Sequence, residues 1–263
     1  MAGDVRPFVL SIPDEALDDL RDRLSRTRPP ENENVSGHDG SPDWSQGPPR
    51  SYVVGLLDHR ARGYDWRRVE AELNAHGHAL CEVDELDLHL LHVRSPRRRP
   101  AAHPHPWLAE LGHRAIAVQV MDALADPPGP ELPAFHVVAP SLPGFGFGGK
   151  PTATGWNVDR TADAWATLMT RLGYDRFFAA GGDWGGRVTA ALARRHPDRV
   201  AALHSFTPYV VEPNPPGQLT AEEERWLAAT QEFRRVGGGY SLEQSTPPRR
   251  RSATPSPTLR LRS

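Results

Sequence analysis

The residues best suited to chemistry lie in one short stretch, Gly181-Gly182-Asp183-Trp184-Gly185. An apolar run over 176–180 precedes it, and a helical pattern over 188–195 follows it. A strand, a sharp turn and a helix, with small residues two before and two after a central side chain, form the layout of a nucleophile elbow. A carboxylate is ionised at neutral pH and attacks carbon without a general base, so Asp183 suits strained or activated carbon electrophiles. A tight turn with a solvated Asp is the alternative interpretation.

The elements around this stretch predict an α/β fold. Strand and helix patterns alternate from Phe135 to His204, which is typical of a mostly parallel sheet with right-handed crossovers. Trp165, Leu168 and Met169 recur at helical spacing and predict a helix with one apolar face. In such sheets, functional residues lie at the carboxyl ends of the strands, where Asp183 is expected.

Helices are also expected before the sheet, and residues 1–80 are predicted to form a helical meander. Residues 8–12 alternate like a strand, and Pro13 opens a helix. A second helical pattern covers residues 52–57, and a third runs through Val69 and Leu73.

A hairpin of two strands is expected next, over residues 82–93. His89 and His92 are three positions apart and would face opposite sides of a strand. They are therefore interpreted as ordinary polar residues of the strand rather than as two ligands of one metal ion. Residues 97–106 are basic and proline-rich where the sheet would place its next buried strand. We therefore predict that this strand is missing and that regular structure resumes near Met121.

The composition changes after Thr207. Residues 208–216 form a proline-rich linker, and a capping box at Thr220 predicts a helix that would begin a lid over the elbow. The domains are therefore predicted as a meander (1–80), a core (81–207), a partial cap (208–245) and a disordered tail (246–263).

Length, charge and cysteine content exclude several classes of protein. The 263 residues suffice for one α/β domain with a large core plus further segments. A formal net charge of -2 gives no reason to invoke nucleic acid or an anionic membrane. Cys81 is the only cysteine, so a reducing compartment, the cytoplasm, is expected. No apolar run approaches a transmembrane length, and neither a metal nor a cofactor is expected.

Several motifs, taken in order, make the chain similar to α/β-hydrolases of the epoxide hydrolase family, in the branch with an N-terminal meander. The resembling parts are Ile12–Arg28, Gly63-Tyr64-Asp65-Trp66 to Asn74, Asp87-Leu88-His89 to Ser95, Ala139 to Phe147, Gly182-Asp183-Trp184-Gly185 and Phe233 to Thr246. The resemblance implies an α/β-hydrolase fold with a mostly parallel sheet, incomplete at the C-terminus, and a partial helical cap.

A two-step mechanism is implied by the same resemblance. Asp183 would attack an epoxide carbon and form an alkyl ester, while Tyr240, matching one of two cap tyrosines, would donate a hydrogen bond to the epoxide oxygen. A tyrosine packed behind a glycine-rich turn is the alternative for Tyr240. The backbone N–H of Trp184 would supply half of an oxyanion hole, and a His–carboxylate pair would activate water.

The resemblance also assigns Pro143, Gly144 and Phe145 to the wall of the site. A plain strand-to-helix connection explains the same residues equally well. The expected partners are a small-molecule epoxide and water, with no nucleic acid and no membrane segment.

Two parts of the family pattern are missing from the sequence. No His-Gly-x-Pro turn occurs in residues 97–117, and the histidines after Asp183 are His196 and His204, neither of which fits the catalytic base. We therefore expect little or no turnover from the chain as written. Translation in a shifted frame over 97–120 and 246–263 is a hypothesis that explains both departures.

Two other functions stay open at this point. A haloalkane dehalogenase also uses an Asp elbow, although Gly239-Tyr240 and the N-terminal meander argue against it. A non-catalytic remnant or binding module would keep the pocket without the chemistry, and the incomplete catalytic set favours it.

Overall fold

The computed structural model describes residues 5–35, 41, 43–45, 47–97, 105–109, 114–207 and 219–239. The chain divides into two compact units, Met1–Tyr209 and Val210–Ser263. The strands, all in the first unit, are β1 Val5–Pro7, β2 His78–Val83, β3 Leu86–Val93, β4 His105–Ala109, β5 Phe135–Pro140, β6 Phe177–Gly181 and β7 Val200–Ser205. The helices of that unit are α1 Asp14–Ser25, α2 Arg50–Asp58 with a π-helical continuation His59–Gly63, α3 Trp66–Asn74, α4 Arg114–Ala125, α5 Val158–Arg171 and α6 Asp183–Arg195. Helix α7, Ala221–Gly237, belongs to the second unit.

The strands form one sheet in the order β1-β2-β3-β5-β4-β6-β7. The first four pair antiparallel, as β1 with β2, β2 with β3 and β3 with β5. The remaining pairs, β5 with β4, β4 with β6 and β6 with β7, are parallel. This arrangement confirms the predicted α/β fold with a parallel region between Phe135 and His204. The carboxyl ends of four parallel strands consequently meet at one edge.

The largest apolar cluster lies between the sheet and helices α5 and α6. Trp165, Leu168 and Met169 are fully buried in it, which confirms the predicted apolar face of α5. A second, smaller cluster includes Leu91 of β3 and Met121 of α4. The sheet is therefore covered on both faces, as parallel sheets require.

The predicted strand over residues 8–12 is wrong, because β1, Val5–Pro7, ends before it and residues 8–12 are irregular. Side chains of α3 take the backbone hydrogen bonds that a strand would have used. Asn74 accepts from the Leu10 N–H at 2.9 Å and donates to the Leu10 carbonyl at 2.8 Å. Glu70 accepts from the Ile12 N–H at 2.7 Å. The Phe8 N–H donates to the His78 carbonyl of β2 at 3.0 Å, and the residues after Phe8 are anchored to α3.

The prediction of a missing central strand is also wrong. Strand β4, His105–Ala109, lies between β5 and β6 and pairs parallel with both. The sequence did not predict this strand because it is only five residues long and contains Pro106. Proline lacks an N–H and normally argues against a central strand. Its pairing with β6 begins only at Trp107. Helix α4 then begins at Arg114, before the predicted return of order at Met121.

The other elements lie close to their predicted positions. The turn of the predicted hairpin consists of Asp84 and Glu85, both with positive φ. The capping box at Thr220 is present, with Glu223 as its second member, so the start of α7 is confirmed.

The domain boundaries at 80, 207 and 245 stay predictions, and the predicted tail over 246–263 lies outside the described residues.

Candidate active site

Asp183 occupies the turn between β6 and α6 with φ +48°. Few residues other than glycine adopt positive φ, and Asp is among those that tolerate it. The carboxylate is exposed, and the residue begins helix α6. The strand, turn and helix of the predicted elbow are therefore confirmed as backbone structure, and the helix begins five residues earlier than its sequence pattern indicated.

Small residues permit this turn because the backbone before Asp183 passes very close to the backbone after it. A Cβ on Gly181 would lie 2.4 Å from the carbonyl oxygen of Gly185. A Cβ on Gly182 would lie 2.8 Å from the ring of Phe206. The first contact is with rigid backbone, so no side chain fits at residue 181. This explains the glycine at residue 181, one of the small residues on which the sequence prediction depended.

The residues that directly follow β7 form hydrogen bonds with the turn. The Asp183 N–H donates to the hydroxyl of Thr207 at 3.2 Å. The Phe206 N–H donates to the Gly181 carbonyl at 3.1 Å. Both bonds come from the residues that directly follow β7, so the turn depends on a neighbouring strand as well as on its own sequence.

Trp184 follows Asp183 in the first turn of α6. The first four N–H groups of a helix have no acceptor within it, so the Trp184 N–H is outside the helical ladder. It also lies at the positive end of the helix dipole, where a developing oxyanion is stabilised. The indole is 45% exposed, and the Arg187 guanidinium lies 5.0 Å from its centroid. The backbone of Trp184 is thus suited to anion binding.

The wall loop, which we define as residues 141–149, begins directly after β5. Gly144 and Gly146 have φ +82° and +63°, so two left-handed positions set its path. The Phe145 ring is 68% exposed. The Gly149 N–H donates to the Asp87 carbonyl at 2.7 Å and so closes the loop onto β3.

The wall loop lies at the same edge of the sheet as the elbow. Strand β4 pairs Leu108 with Val138 of β5 and with Ala179 of β6. Continuing three residues along each parallel strand brings Ser141 level with Gly182. The two positions are two strand spacings apart, about 10 Å. The predicted wall residues Pro143, Gly144 and Phe145 therefore follow a strand end near Asp183.

The two histidines after the elbow lie in different places. His196 ends α6, about 20 Å along the helix from Asp183, and its Nε2 lies 2.9 Å from a carboxylate oxygen of Asp163. His204 is exposed on β7 opposite Ala180, and its ring centroid lies 5.0 Å from that of Phe206. The predicted proton donor Tyr240 lies outside the described residues.

Sequence reasoning missed a buried group beside the wall loop. His78 and His89, on neighbouring strands, are 2.8 Å apart, and His89 is also 2.8 Å from the hydroxyl of Ser141. The two histidines become diagonal neighbours only in the observed hairpin register, where His89 lies opposite Leu80. Their spacing of eleven residues carries no signal of this contact.

Two kinds of site are absent from the described part of the chain. No group of three or more His, Cys, Asp or Glu side chains in those ranges is arranged to hold a metal ion. No described helix is both long enough and apolar enough to cross a bilayer.

Two family models match the chain. The first is described as "Epoxide hydrolase N terminus" and covers residues 5–109. The second is described as "alpha/beta hydrolase fold" and covers residues 111–236. The second match contains both the wall loop and the elbow.

Relatives and a solved structure agree with these models. A Stigmatella aurantiaca (strain DW4/3-1) protein named "Putative epoxide hydrolase" is 44% identical over 250 residues, covering 93% of this chain and 55% of that protein. Rabbit (Oryctolagus cuniculus) "Epoxide hydrolase 1" is 32% identical over 207 residues, covering 76% of this chain and 44% of that protein. The structure of Aspergillus niger epoxide hydrolase superposes with a TM-score of 0.74 and 28% identity, covering 92% of this chain and 63% of that one. The chain spans about half the length of these two curated relatives.

Proposed function

This chain belongs to the epoxide hydrolase family of the α/β-hydrolase fold, and we propose that its site opens epoxides to vicinal diols through an ester on Asp183. The observation that carries the proposal is the φ of +48° at Asp183, on the turn between β6 and α6. A strained turn at a strand end displays one side chain above the sheet, as nucleophilic catalysis requires.

In the first step, a carboxylate oxygen of Asp183 attacks one epoxide carbon. A C–O bond to the enzyme forms, the C–O bond of the strained ring breaks, and the ring oxygen leaves as an alkoxide. A phenol is neutral at pH 7 and is a much stronger acid than an alcohol, so Tyr240 is proposed to donate the proton to the alkoxide. The product of this step is a hydroxyalkyl ester of Asp183.

In the second step, water attacks the ester carbonyl. The oxyanion that forms would be stabilised by the N–H of Trp184 at the start of α6. Collapse of this intermediate releases the diol, restores the carboxylate of Asp183 and returns a proton to Tyr240. The wall residues Pro143, Gly144 and Phe145 are proposed to flank the substrate and to limit the approach of bulk water.

The second step is proposed to be the slow one for a polypeptide of this sequence alone. Water attack on an ester is accelerated roughly 10²–10⁴-fold by a positioned general base. Among the residues that the structure describes, the histidine after the elbow that pairs with a carboxylate is His196, which contacts Asp163 of α5 at the far end of α6 from Asp183. The alkyl ester is therefore expected to accumulate.

The test is to incubate the polypeptide with styrene oxide and to locate adducts by peptide mass spectrometry. A covalent adduct on Asp183 that builds up faster than diol is released supports the proposal. Asp183→Asn is the matched control, because the amide keeps the size and tolerates positive φ but is a poor nucleophile. An adduct on other residues, or none on Asp183 at saturating epoxide, contradicts it.

A further inference from the structure

Three buried polar side chains form one hydrogen-bonded chain beside the wall loop. His78, His89 and Ser141 are 7%, 2% and 6% exposed. The His78 Nδ1 lies 2.8 Å from the His89 Nε2, and the His89 Nδ1 lies 2.8 Å from the Ser141 hydroxyl. At the other end, the His78 Nε2 lies 2.8 Å from the carbonyl of Leu73 in α3. We call these residues the relay.

The chemistry of its ends gives the relay a single direction when both imidazoles are neutral. A carbonyl only accepts, so His78 carries its proton on Nε2 and accepts on Nδ1. His89 then donates from Nε2 and accepts on Nδ1, which makes the Ser141 hydroxyl a donor to His89. Protonating either ring would reverse the bond to Ser141. The Leu73 carbonyl in α3 consequently determines the orientation of the Ser141 hydroxyl through the imidazole rings of His78 and His89.

The relay acts on the wall loop at several points. Ser141 is the first residue of the loop, and its N–H also donates to the His89 carbonyl at 2.8 Å. Phe147, near the other end of the loop, packs edge-on against the His89 ring with centroids 5.3 Å apart. His89 therefore contacts both arms of the loop that carries Phe145.

Simple core packing does not account for this arrangement. Burying two imidazoles and a hydroxyl has a desolvation cost that apolar side chains of similar volume would avoid. The chain of bonds links a carbonyl of α3, in the N-terminal segment, to the first residue after β5, at the edge that holds Asp183. The chain of bonds ends at Ser141, the first residue of the loop, and its fixed direction sets the orientation of the Ser141 hydroxyl.

We propose that His78, His89 and Ser141 are positioning residues that hold the wall loop at the substrate site. The assignment of a substrate site rests on the proposed function, whereas the hold on the loop does not. Loss of the relay should loosen residues 141–149 and weaken epoxide binding, while the intrinsic reactivity of the Asp183 carboxylate is kept.

Two substitutions at residue 89 separate the halves of the relay. In His89→Asn, the amide oxygen replaces Nδ1 and still accepts from Ser141, whereas in His89→Gln the amide lies near Nε2 and contacts only His78. Ser141→Ala removes the hydroxyl itself. Thr161→Val is the matched control, because Thr161 is buried on α5 and its hydroxyl donates to the Asn157 carbonyl at 2.8 Å rather than to a residue of the loop.

Hydrogen–deuterium exchange of residues 141–149 is the first measurement. His89→Gln and Ser141→Ala should accelerate it roughly tenfold, whereas His89→Asn and Thr161→Val should leave it close to the parent rate. Nitrogen NMR of the parent should show both rings neutral with the proton on Nε2. Exchange in His89→Gln and Ser141→Ala that matches Thr161→Val, or an Nδ1–H tautomer of His89, overturns the proposal.

The second measurement is the rate of Asp183 alkylation against styrene oxide concentration. The half-saturating concentration should rise roughly fivefold in Ser141→Ala with an unchanged maximal rate, because binding alone depends on the loop. A lower maximal rate at an unchanged half-saturating concentration overturns the positioning role. If the parent forms no adduct, the proposed function fails, and the exchange and NMR measurements alone decide whether the relay holds the loop.

Discussion

The backbone N–H of Asp183 donates a hydrogen bond to the hydroxyl of Thr207, 3.2 Å away and 24 positions further along the chain. The strained turn is thus tied to the end of β7, which lies beside β6 in the sheet. Thr207 itself is exposed and carries no reacting group in the proposed mechanism. Its contribution to the site is the placement of a backbone.

Thr207→Val should lower the rate of Asp183 alkylation by styrene oxide roughly fivefold, because it removes this hydrogen bond while keeping the shape of the side chain. Thr207→Ser retains the hydroxyl and should react like the parent. Single-turnover mass spectrometry measures both rates. Equal rates for the Val and Ser variants would contradict the role of the hydroxyl.

Gly181→Ala should destabilise the protein by about 3 kcal/mol, because the new methyl group meets the Gly185 carbonyl at 2.4 Å. Gly55→Ala, in α2, is the opposite case. No atom lies within 4 Å of its added Cβ, so the alanine should stabilise by about 0.5–1 kcal/mol. Urea denaturation of both variants measures the difference, and a Gly181→Ala protein as stable as the parent would rule out the close approach.

His92 makes stability depend on pH on the acid side. Burial first, and then the charges of Arg94 and His136, lower the pKa of His92 from 6.5 to about 4. Because the folded state binds this proton less readily than the unfolded one, its contribution is complete above pH 6.5 and is lost as the pH falls toward 4, up to about 3 kcal/mol.

His92→Gln should reduce the loss of stability between pH 6.5 and 4, because glutamine does not titrate; His136, whose pKa burial also lowers, keeps its share of the loss. Urea midpoints measured across this range give the slope. His59→Gln, at an exposed position in the π-helical turn, provides the comparison and should leave the slope unchanged. A parent-like slope in His92→Gln would mean that another group causes the acid loss.

The capping box of α7 gives a local prediction in the second unit. The Thr220 hydroxyl accepts from the Glu223 N–H at 3.3 Å, and the Glu223 carboxylate accepts from the Thr220 N–H at 2.7 Å. Thr220→Ala should weaken the first turn by about 1 kcal/mol, seen as roughly fivefold faster hydrogen exchange near Glu223. Thr230→Ala, in mid-helix with its hydroxyl on the Trp226 carbonyl, should cause no such acceleration.

The elbow could be predicted from the sequence because its signal is local. The glycines at 181 and 185 and the apolar run before them lie within ten residues of Asp183, and the structure shows a steric reason for the glycine at 181. The one-sided helix α5 was equally readable from its spacing. Such elements are determined mainly by neighbours in the chain.

Strand β4 and the relay were not predictable in the same way. A strand of five residues that contains Pro106 has little periodicity, and its place in the sheet follows from pairing with β5 and β6. The contact between His78 and His89 depends on the hairpin register. The contact between His89 and Ser141 depends on the pairing of β3 with β5. These relationships arise only once the whole sheet has assembled.

The positive φ at residue 183 also restricts how the chemistry of this site can be redesigned. Branching at Cβ crowds a left-handed backbone, so Thr, Val and Ile should be rare among folded members of a saturation library at this position. Asn and Gly should be common, and Ser and Cys should be acceptable. A protein engineer who wishes to exchange the carboxylate for an acyl-transfer nucleophile therefore has the unbranched alcohol and the thiol available, but not the secondary alcohol of threonine.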